Sequence, residues 1–223
     1  QSPLYSPHHA PSEATRSNLV TIASINCLYT NATSLNSVNK RADLVLRCTA
    51  GFDVILVTET WFNDMSIVSL SSYKAFRRDR GSHGGGVIIY VKDTLFSSEI
   101  NDNELRRTLC PSSSDVEQVW CEVSTHHGGD KYLLGCIYRP PLSARTSDDK
   151  ARHASIAADI NKSIAVATRA VNAGLYKGVC VSGDFNFPDL RWSDDSVINR
   201  GKHDGLAGAF LDTLEDLSLY QAV

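Results

Sequence analysis

Several short apolar runs in this sequence end in the same way, with a polar residue at a turn. The run VILVT is followed by Glu59, and the run VCVS is followed by Gly183 and Asp184. Asn31 and Tyr138 occupy the ends of two further runs. Apolar and β-branched runs bounded by glycine, proline and asparagine predict buried strands. The chain is therefore expected to fold as sheets whose strand ends present polar side chains.

Seven segments have this strand character, and the fifth and sixth predict a hairpin around the turn THHGGD. The third is expected to be an edge strand. The predicted strands cover residues 19–30, 52–59, 72–80, 84–93, 115–124, 131–139 and 178–182.

Helical periodicity occurs in three segments, at residues 34–51, 146–174 and 203–219. The second segment is the clearest, because Thr146 or Ser147 can cap it and Ile156, Ile160, Ile164, Ala167 and Val171 form one apolar stripe. In the first segment, Val38, Leu44 and Leu46 predict a partial apolar face. Strands outnumber helices, and the helices come singly between them. This order favours sheets covered by helices on their outer faces.

Charge and composition narrow the class of protein. The net charge of −3 argues against a tight, stand-alone nucleic-acid binder but leaves room for an enzyme that contacts DNA briefly. No apolar run is long enough to span a membrane, and no signal peptide is visible, so we expect a nuclear or cytoplasmic protein without a membrane partner. Residues 1–18 predict a flexible lead-in before a domain over residues 19–223. The cysteines are expected to be free thiols.

The residue types at the strand ends suit one kind of chemistry. Carboxylates at Glu59 and Asp184, with amides at Asn31 and Asn186, are ligands for a hard cation such as Mg²⁺, with Mn²⁺ as a substitute. Such a cation neutralises phosphate during in-line attack by water. Each residue also has an ordinary interpretation, as a turn residue, a helix cap or, for Tyr138, an aromatic at the rim of a turn.

Five ordered blocks carry a resemblance to a known family. They are CLYTNATSLNSVNKRADL, FDVILVTETWF, FRRDRGSHGGGVIIYVKDTL, GCIYRPP and VSGDFNFPDLRW. Together they resemble the endonuclease domain of non-LTR retrotransposons, which is similar to apurinic/apyrimidinic endonucleases and belongs to the endonuclease/exonuclease/phosphatase superfamily. The resemblance implies an α/β fold, a four-layer α/β/β/α sandwich of two mixed sheets with outer helices. It also implies a divalent-metal nuclease that nicks DNA and leaves a 3′-hydroxyl for reverse transcription.

The resemblance also implies a role for each strand-end residue. Glu59 is similar to the family's metal ligand, with Asn31 beside it. Asp184 corresponds to the residue that orients or deprotonates the attacking water. Asn186 corresponds to a hydrogen-bond donor to the phosphate, and Tyr138 to a second partner of that phosphate. The partners implied are DNA and a reverse transcriptase domain in the same parent chain.

Four arginines are candidates for DNA binding. Arg77, Arg78 and Arg80 precede the triple glycine, where a solvated hairpin is an equal alternative to contact with the DNA backbone. Arg139 follows Tyr138 and is assigned to the same group. The triple glycine itself is not expected to cradle a phosphate, because it precedes a strand and not a helix.

One motif of the family is not found. The resemblance predicts a Ser-Asp-His segment near the end of the domain, and this chain lacks it. We therefore expect the C-terminal strands of the sandwich to be missing and an exposed sheet edge to permit dimerisation. Two other functions remain open: a phosphoesterase of the same fold that acts on a small phosphate ester, and a catalytically inactive domain used for binding or assembly.

Overall fold

The computed structural model describes residues 25–81, 83–111, 115–141, 146–193, 196–201 and 205–220. The predicted lead-in over residues 1–18 lies outside the described residues, as does the first half of the first predicted strand. In chain order, the elements are β1 Cys27–Asn31, α1 Val38–Thr49, β2 Val54–Thr58, β3 Tyr73–Arg78, β4 Val87–Lys92, β5 Phe96–Ser98, α2 Asn103–Leu109, β6 Glu117–Ser124, β7 Tyr132–Tyr138, α3 Ser147–Asn172, β8 Gly178–Asp184, β9 Leu190–Ser193, β10 Ser196–Asn199 and α4 Leu206–Asp216.

Within the described residues, the strands form two four-stranded sheets and one small hairpin. The first sheet has the order β1-β2-β4-β3, and the second has the order β5-β6-β7-β8. β1 and β2 are parallel, as are β7 and β8, whereas the other neighbours are antiparallel. Both sheets are therefore mixed, and β3 lies at an edge as predicted. β9 and β10 pair separately.

Side chains that alternate in direction along β2 show how the first sheet buries both of its faces. Val54 and Leu56 point into the core between the two sheets, where Cys121 and Leu134 of the second sheet meet them. Ile55 and its alternating neighbours point the other way, into a core that α1 covers. Because both faces are buried, this strand is apolar almost without interruption.

The second sheet buries its outer face in the same way. Trp120, Leu133 and Ile137 pack in a core with residues of α2, α3 and α4, among them Ile160 and Phe210. The layers are therefore helix, sheet, sheet and helices, which confirms the predicted α/β/β/α sandwich. No helix among the described residues has both the length and the apolar character that crossing a membrane requires.

The two longer predicted helices differ in how well their faces were predicted. In α3, Thr146 and Asp149 form a capping box, and Ile156, Ile160 and Ile164 are buried as expected. In α1, the predicted apolar face is wrong. Leu44 is buried, but Val38 and Leu46 are 81% and 67% exposed.

Candidate active site

Parallel pairing brings the polar strand ends to one side of the sandwich. In the first sheet, Asn31 pairs with Thr58, the residue before Glu59. In the second sheet, Tyr138 pairs with Asp184. The carboxyl ends of parallel neighbours lie at the same edge of a sheet, and the two sheets face one another. The predicted side chains consequently converge from both sheets.

Asn31 joins the two carboxylates of this cluster. Its Nδ2 donates to Glu59 Oε1 over 3.0 Å and to Asp184 Oδ2 over 3.1 Å. Its Oδ1 accepts from the backbone N–H of Thr33 over 3.1 Å. A single amide therefore links Glu59 on the first sheet to Asp184 on the second.

Tyr138 extends the cluster towards a positive charge. Its hydroxyl donates to Glu59 Oε1 over 3.3 Å, and its ring centroid lies 5.7 Å from Arg80 Cζ. Burial of the ring, followed by the charge of Glu59, raises the pKa of the phenol to about 12. The hydroxyl therefore remains a proton donor at neutral pH.

The backbone at Glu59 is held in an unusual conformation. Glu59 has φ +54°, and its carbonyl accepts from the backbone N–H of Ser34 over 2.7 Å. The next residue, Thr60, donates its N–H to the Gly86 carbonyl over 3.2 Å. A Cβ at Gly86 would lie 2.5 Å from Thr60 Oγ1. The glycine run thus packs against the loop that presents Glu59.

Glu117 is a buried carboxylate beside the cluster that sequence reasoning missed. It is 5% exposed, and it accepts from Arg80 Nε over 2.6 Å and from the Gly86 N–H over 2.5 Å. It also pairs with Tyr138 in the sheet. A carboxylate within a predicted strand was the available signal.

Asn186 is close to Asp184 but is engaged with backbone. Its N–H donates to Asp184 Oδ1 over 3.1 Å, and its Nδ2 donates to the Arg139 carbonyl over 2.7 Å. Its φ of +47° falls in the left-handed region, which asparagine tolerates better than most residues. The amide thus shapes the loop after β8 while lying beside the cluster.

The Arg139 side chain packs against this loop and donates hydrogen bonds to its backbone. It is 4% exposed, its Nη1 donates to the Asn186 carbonyl over 2.6 Å, and its Cζ lies 4.5 Å from the ring centroid of Phe187. Its Nη2 contacts His153 Nδ1 over 3.0 Å. The guanidinium is therefore largely buried beneath the loop after β8, although Arg139 also lines the cleft beside Asp184. Its contact with DNA stays a prediction.

The other three predicted arginines lie at and after the end of β3. Arg77 is paired with Asp79 over 3.4 Å, and the Nη1 of Arg78 donates to the Pro111 carbonyl. Arg80 is paired with Glu117 and reaches the Tyr138 ring. Of these three, Arg80 lies closest to the carboxylate cluster.

A cleft of about 900 Å³ opens beside Asn31 and Asp184. Tyr29, His153 and Trp192 are among its lining side chains that sequence reasoning missed. Tyr29 precedes Asn31 by two residues, so the two-residue period of a strand places both on one face. His153 lies on α3, and no local pattern in the sequence connects it to the strand ends.

The donor set fits Mg²⁺. Glu59 and Asp184 carry carboxylate oxygens, and Asn31 carries an amide oxygen, which accepts from the Thr33 N–H while its nitrogen faces the two carboxylates. The described residues hold no cluster of three or more histidine, cysteine, aspartate or glutamate side chains that could bind a metal. Mg²⁺ is commonly held by one or two carboxylates and keeps several waters, so a sparse oxygen site is compatible with it.

Comparison with protein-family models gives one match. The Endonuclease/Exonuclease/phosphatase family matches residues 23–219, which is most of the chain. The comparison with curated proteins finds no match for this sequence.

Solved structures share the fold at low sequence identity. An AP endonuclease from Archaeoglobus fulgidus superposes with a TM-score of 0.57 and 13% identity, over 86% of this chain and 70% of that chain. The AP endonuclease LMAP from Leishmania major gives 0.56 and 14%, over 86% and 66%. A variant of the 3′ phosphatase NExo from Neisseria, bound to a product DNA hairpin, gives 0.55 and 13%, over 87% and 71%. The chain thus spans about two thirds of the length of these proteins.

Proposed function

Because the chain belongs to the Endonuclease/Exonuclease/phosphatase family, we propose that it is a divalent-metal-dependent DNA endonuclease that nicks one strand and leaves a 3′-hydroxyl. The resemblance of its sequence blocks to retrotransposon endonuclease domains supports this choice within the family. In that setting, the 3′-hydroxyl would prime reverse transcription of a mobile element by a reverse transcriptase domain.

One observation carries the proposal. The Asn31 amide lies within hydrogen-bond distance of both Glu59 and Asp184, although the three residues come from strands of two different sheets. Polar groups that a fold brings together at a cleft, where none of them is needed for packing, are candidates for chemistry. A turn or cap role for each residue separately does not account for this convergence.

The role of each residue follows from the hydrogen-bonding atoms that it can still offer to water or phosphate. Asp184 faces the cleft and would accept the proton of the attacking water or orient that water. The protonated Tyr138 hydroxyl would donate to a phosphate oxygen or keep Glu59 in place. Asn186 Nδ2 donates to the Arg139 carbonyl, so a second donation to phosphate would come from its other hydrogen.

Glu59 and Asn31 would hold the cation, with Asp184 beside them. When bound, the cation would neutralise the phosphate and stabilise the charge that develops on it. The Asn31 amide, which now donates to both carboxylates, would keep their spacing constant.

DNA contact is assigned to the β3 side of the cluster. Arg80 lies nearest to Tyr138, and Arg77 and Arg78 precede it on the same segment. Phosphate contacts of this kind position the duplex without reading its sequence. Substitution of Arg80 by alanine is expected to weaken binding equally for DNA substrates of different sequence.

Plasmid nicking tests the proposal. The protein is incubated with supercoiled plasmid and Mg²⁺, and nicked circles are expected that a DNA polymerase can extend from the new 3′-hydroxyl. EDTA should prevent nicking, and Asp184→Asn should abolish it. Asp43→Asn, which alters an exposed carboxylate of α1, serves as the matched control. Normal nicking by Asp184→Asn overturns the assignment of this residue.

A second assay separates the alternatives. Release of phosphate from a 3′-phosphorylated oligonucleotide or a small ester, without plasmid nicking, identifies a phosphoesterase of the same fold. Absence of turnover on every substrate identifies a binding or assembly domain. Dimerisation through an exposed edge of β1 or β8 stays a prediction that light scattering checks.

A further inference from the structure

Two cysteines lie on the strands that end in Asn31 and Asp184. Cys27 is the first residue of β1, an edge strand of the first sheet among the described residues, and Cys180 lies within β8, an edge strand of the second. β1 and β8 are in contact with each other. Both cysteines are free thiols, Cys27 exposed and Cys180 partly buried.

The register of these strands aligns the two thiols. Cys27 precedes Asn31 by four residues, and Cys180 precedes Asp184 by four residues. Because side chains alternate along a strand, each cysteine shares a face with its site residue. The hydrogen bond from Asn31 to Asp184 ties one end of this strand pair, so the thiols oppose each other near its other end.

Each thiol shifts the pKa of the other, while Cys27 Sγ also lies 3.9 Å from the Ile25 carbonyl oxygen. A hydrogen bond from the Cys27 thiol, opposed by burial and supported by Ser182, lowers the pKa of Cys180 to about 7. The same hydrogen bond, with burial and the nearby Asp53 carboxylate, raises the pKa of Cys27. One sulfur is therefore partly a thiolate at neutral pH, while its neighbour keeps its proton. This division suits an attacking thiol and a resolving thiol.

Other cysteines of the core have a different environment. Cys121 and Cys136 are buried, and burial raises the pKa of both thiols. Buried thiols of this kind are inert towards exchange. Cys180, by contrast, lines a surface groove together with Tyr29 and Val181, so a small reagent can reach it.

We propose that Cys27 and Cys180 are a redox-sensitive pair that forms a reversible disulfide between the two sheets by exchange with a low-molecular-weight disulfide such as oxidised glutathione. The Cys180 thiolate attacks one glutathione sulfur, and the glutathione S–S bond breaks to release one glutathione thiolate. The Cys27 thiol then gives its proton to solvent, and its sulfur attacks Cys180 and releases the second glutathione. The protein loses two electrons, and the glutathione disulfide gains them.

The bond would join the two layers of the sandwich at the strand pair that carries Asn31 and Asp184. An inter-sheet disulfide of this type occurs in antibody domains. It would close a long loop of the chain and restrict the unfolded state. The oxidised protein is therefore expected to unfold at a temperature higher by about 5 °C or more.

Peptide mapping after oxidation tests the pair. The folded protein is incubated with oxidised glutathione, its remaining thiols are alkylated, and the peptides are analysed without reduction. The expected result is the loss of two of the six thiols and a cross-link between the Cys27 and Cys180 peptides, which dithiothreitol reverses. Cys27→Ser should instead accumulate glutathione on Cys180. Cys48→Ser, at a partly buried thiol of α1, should leave the cross-link unchanged.

Three results would overturn the proposal. The first is glutathione on Cys27 and Cys180 of the unaltered protein without a cross-link. The second is a cross-link that forms as readily in urea as in the folded protein. The third is preferential oxidation of any other cysteine pair. None of these readouts requires nuclease activity, so the failure of the proposed function would leave this test intact.

Discussion

The Asn31 amide nitrogen lies 3.1 Å from Asp184 Oδ2, although 153 residues separate the two in sequence. The contact bridges the two sheets at the mouth of the cleft. The same nitrogen also donates to Glu59, so one side chain sets the spacing of two carboxylates.

Replacement of Asn31 by alanine removes both of these hydrogen bonds. The carboxylates would then repel each other without a common donor, and we expect the rate of plasmid nicking to fall about 100-fold, as for the loss of other preorganised donors. Asn161→Ala, at an asparagine that bonds the Ala209 carbonyl far from the cluster, is the control. An unaltered rate for Asn31→Ala would contradict a role for this amide.

Glu59→Gln should weaken binding of Mg²⁺. The substitution keeps the shape of the side chain and removes the charge that attracts the cation. Isothermal titration is expected to give a Kd at least about tenfold higher. Glu104→Gln, in the first turn of α2, should bind Mg²⁺ as the unaltered protein does. Equal affinities for both variants would show that the cation is bound elsewhere.

Tyr138→Phe isolates the contribution of one hydroxyl. The phenol pKa of about 12 keeps this group protonated, so its donation to Glu59 persists throughout the neutral range. Loss of a hydrogen bond to a charged group predicts a nicking rate lower by about 10- to 100-fold. Tyr132→Phe, at the other end of β7, should have no such effect. Equal nicking rates for the two variants would contradict a role of the Tyr138 hydroxyl in the reaction.

Gly183→Ala should disrupt the strand that carries Asp184. An added Cβ would lie 1.9 Å from the Ile137 carbonyl oxygen, and backbone of the neighbouring strand cannot rotate away. We expect urea denaturation to show a loss of about 3 kcal/mol or more in the free energy of unfolding. Gly178→Ala, on the same strand, is the control. Its added Cβ would come no closer than 3.3 Å to Tyr132 Cδ1, which belongs to a side chain. A comparable loss in Gly178→Ala would contradict the steric explanation.

Glu122 predicts a pH dependence of stability that is independent of the site. Burial favours its neutral form, but hydrogen bonds from Tyr176 and Lys131 outweigh burial and lower the pKa of this carboxyl below its ordinary value of 4.5. A lowered pKa in the folded state stabilises the fold above pH 4.5, and this contribution disappears as the pH falls further.

Glu122→Gln should therefore be less stable than the unaltered protein at pH 7, by about 1–3 kcal/mol. The difference should shrink below about pH 4.5, because protonation makes the natural side chain resemble glutamine. Urea denaturation of both proteins at a series of pH values measures this difference in the free energy of unfolding. A difference that stays constant down to about pH 3 would contradict the ionised, hydrogen-bonded carboxylate.

The elements that sequence analysis predicted are those with a strong local signal. β2 is apolar almost throughout because both of its faces are buried, and α3 has a cap and a long stripe. Parallel pairing then brought Asn31, Glu59 and Asp184 together, as their positions at strand ends had suggested.

The parts that were missed depend on tertiary contacts. β5, α2, β9 and β10 are too short to show a period of their own. The burial of Arg139, which was assigned to DNA binding, was not foreseen, because nothing in the sequence indicates that its guanidinium would bond the carbonyls of the loop after β8. The exposure of Val38 and Leu46 has the same origin, since only part of α1 is covered by other elements.

The order of the strands places the four site residues on two kinds of strand. β2 and β7 are interior strands, and they carry Glu59 and Tyr138, whereas Asn31 and Asp184 end the outermost described strands β1 and β8. Backbone amides of an interior strand exchange with deuterated solvent only when a large part of the fold opens, whereas those of an edge strand exchange through local fraying. Hydrogen exchange is therefore expected to be faster in the strands that carry Asn31 and Asp184 than in the strands that carry Glu59 and Tyr138.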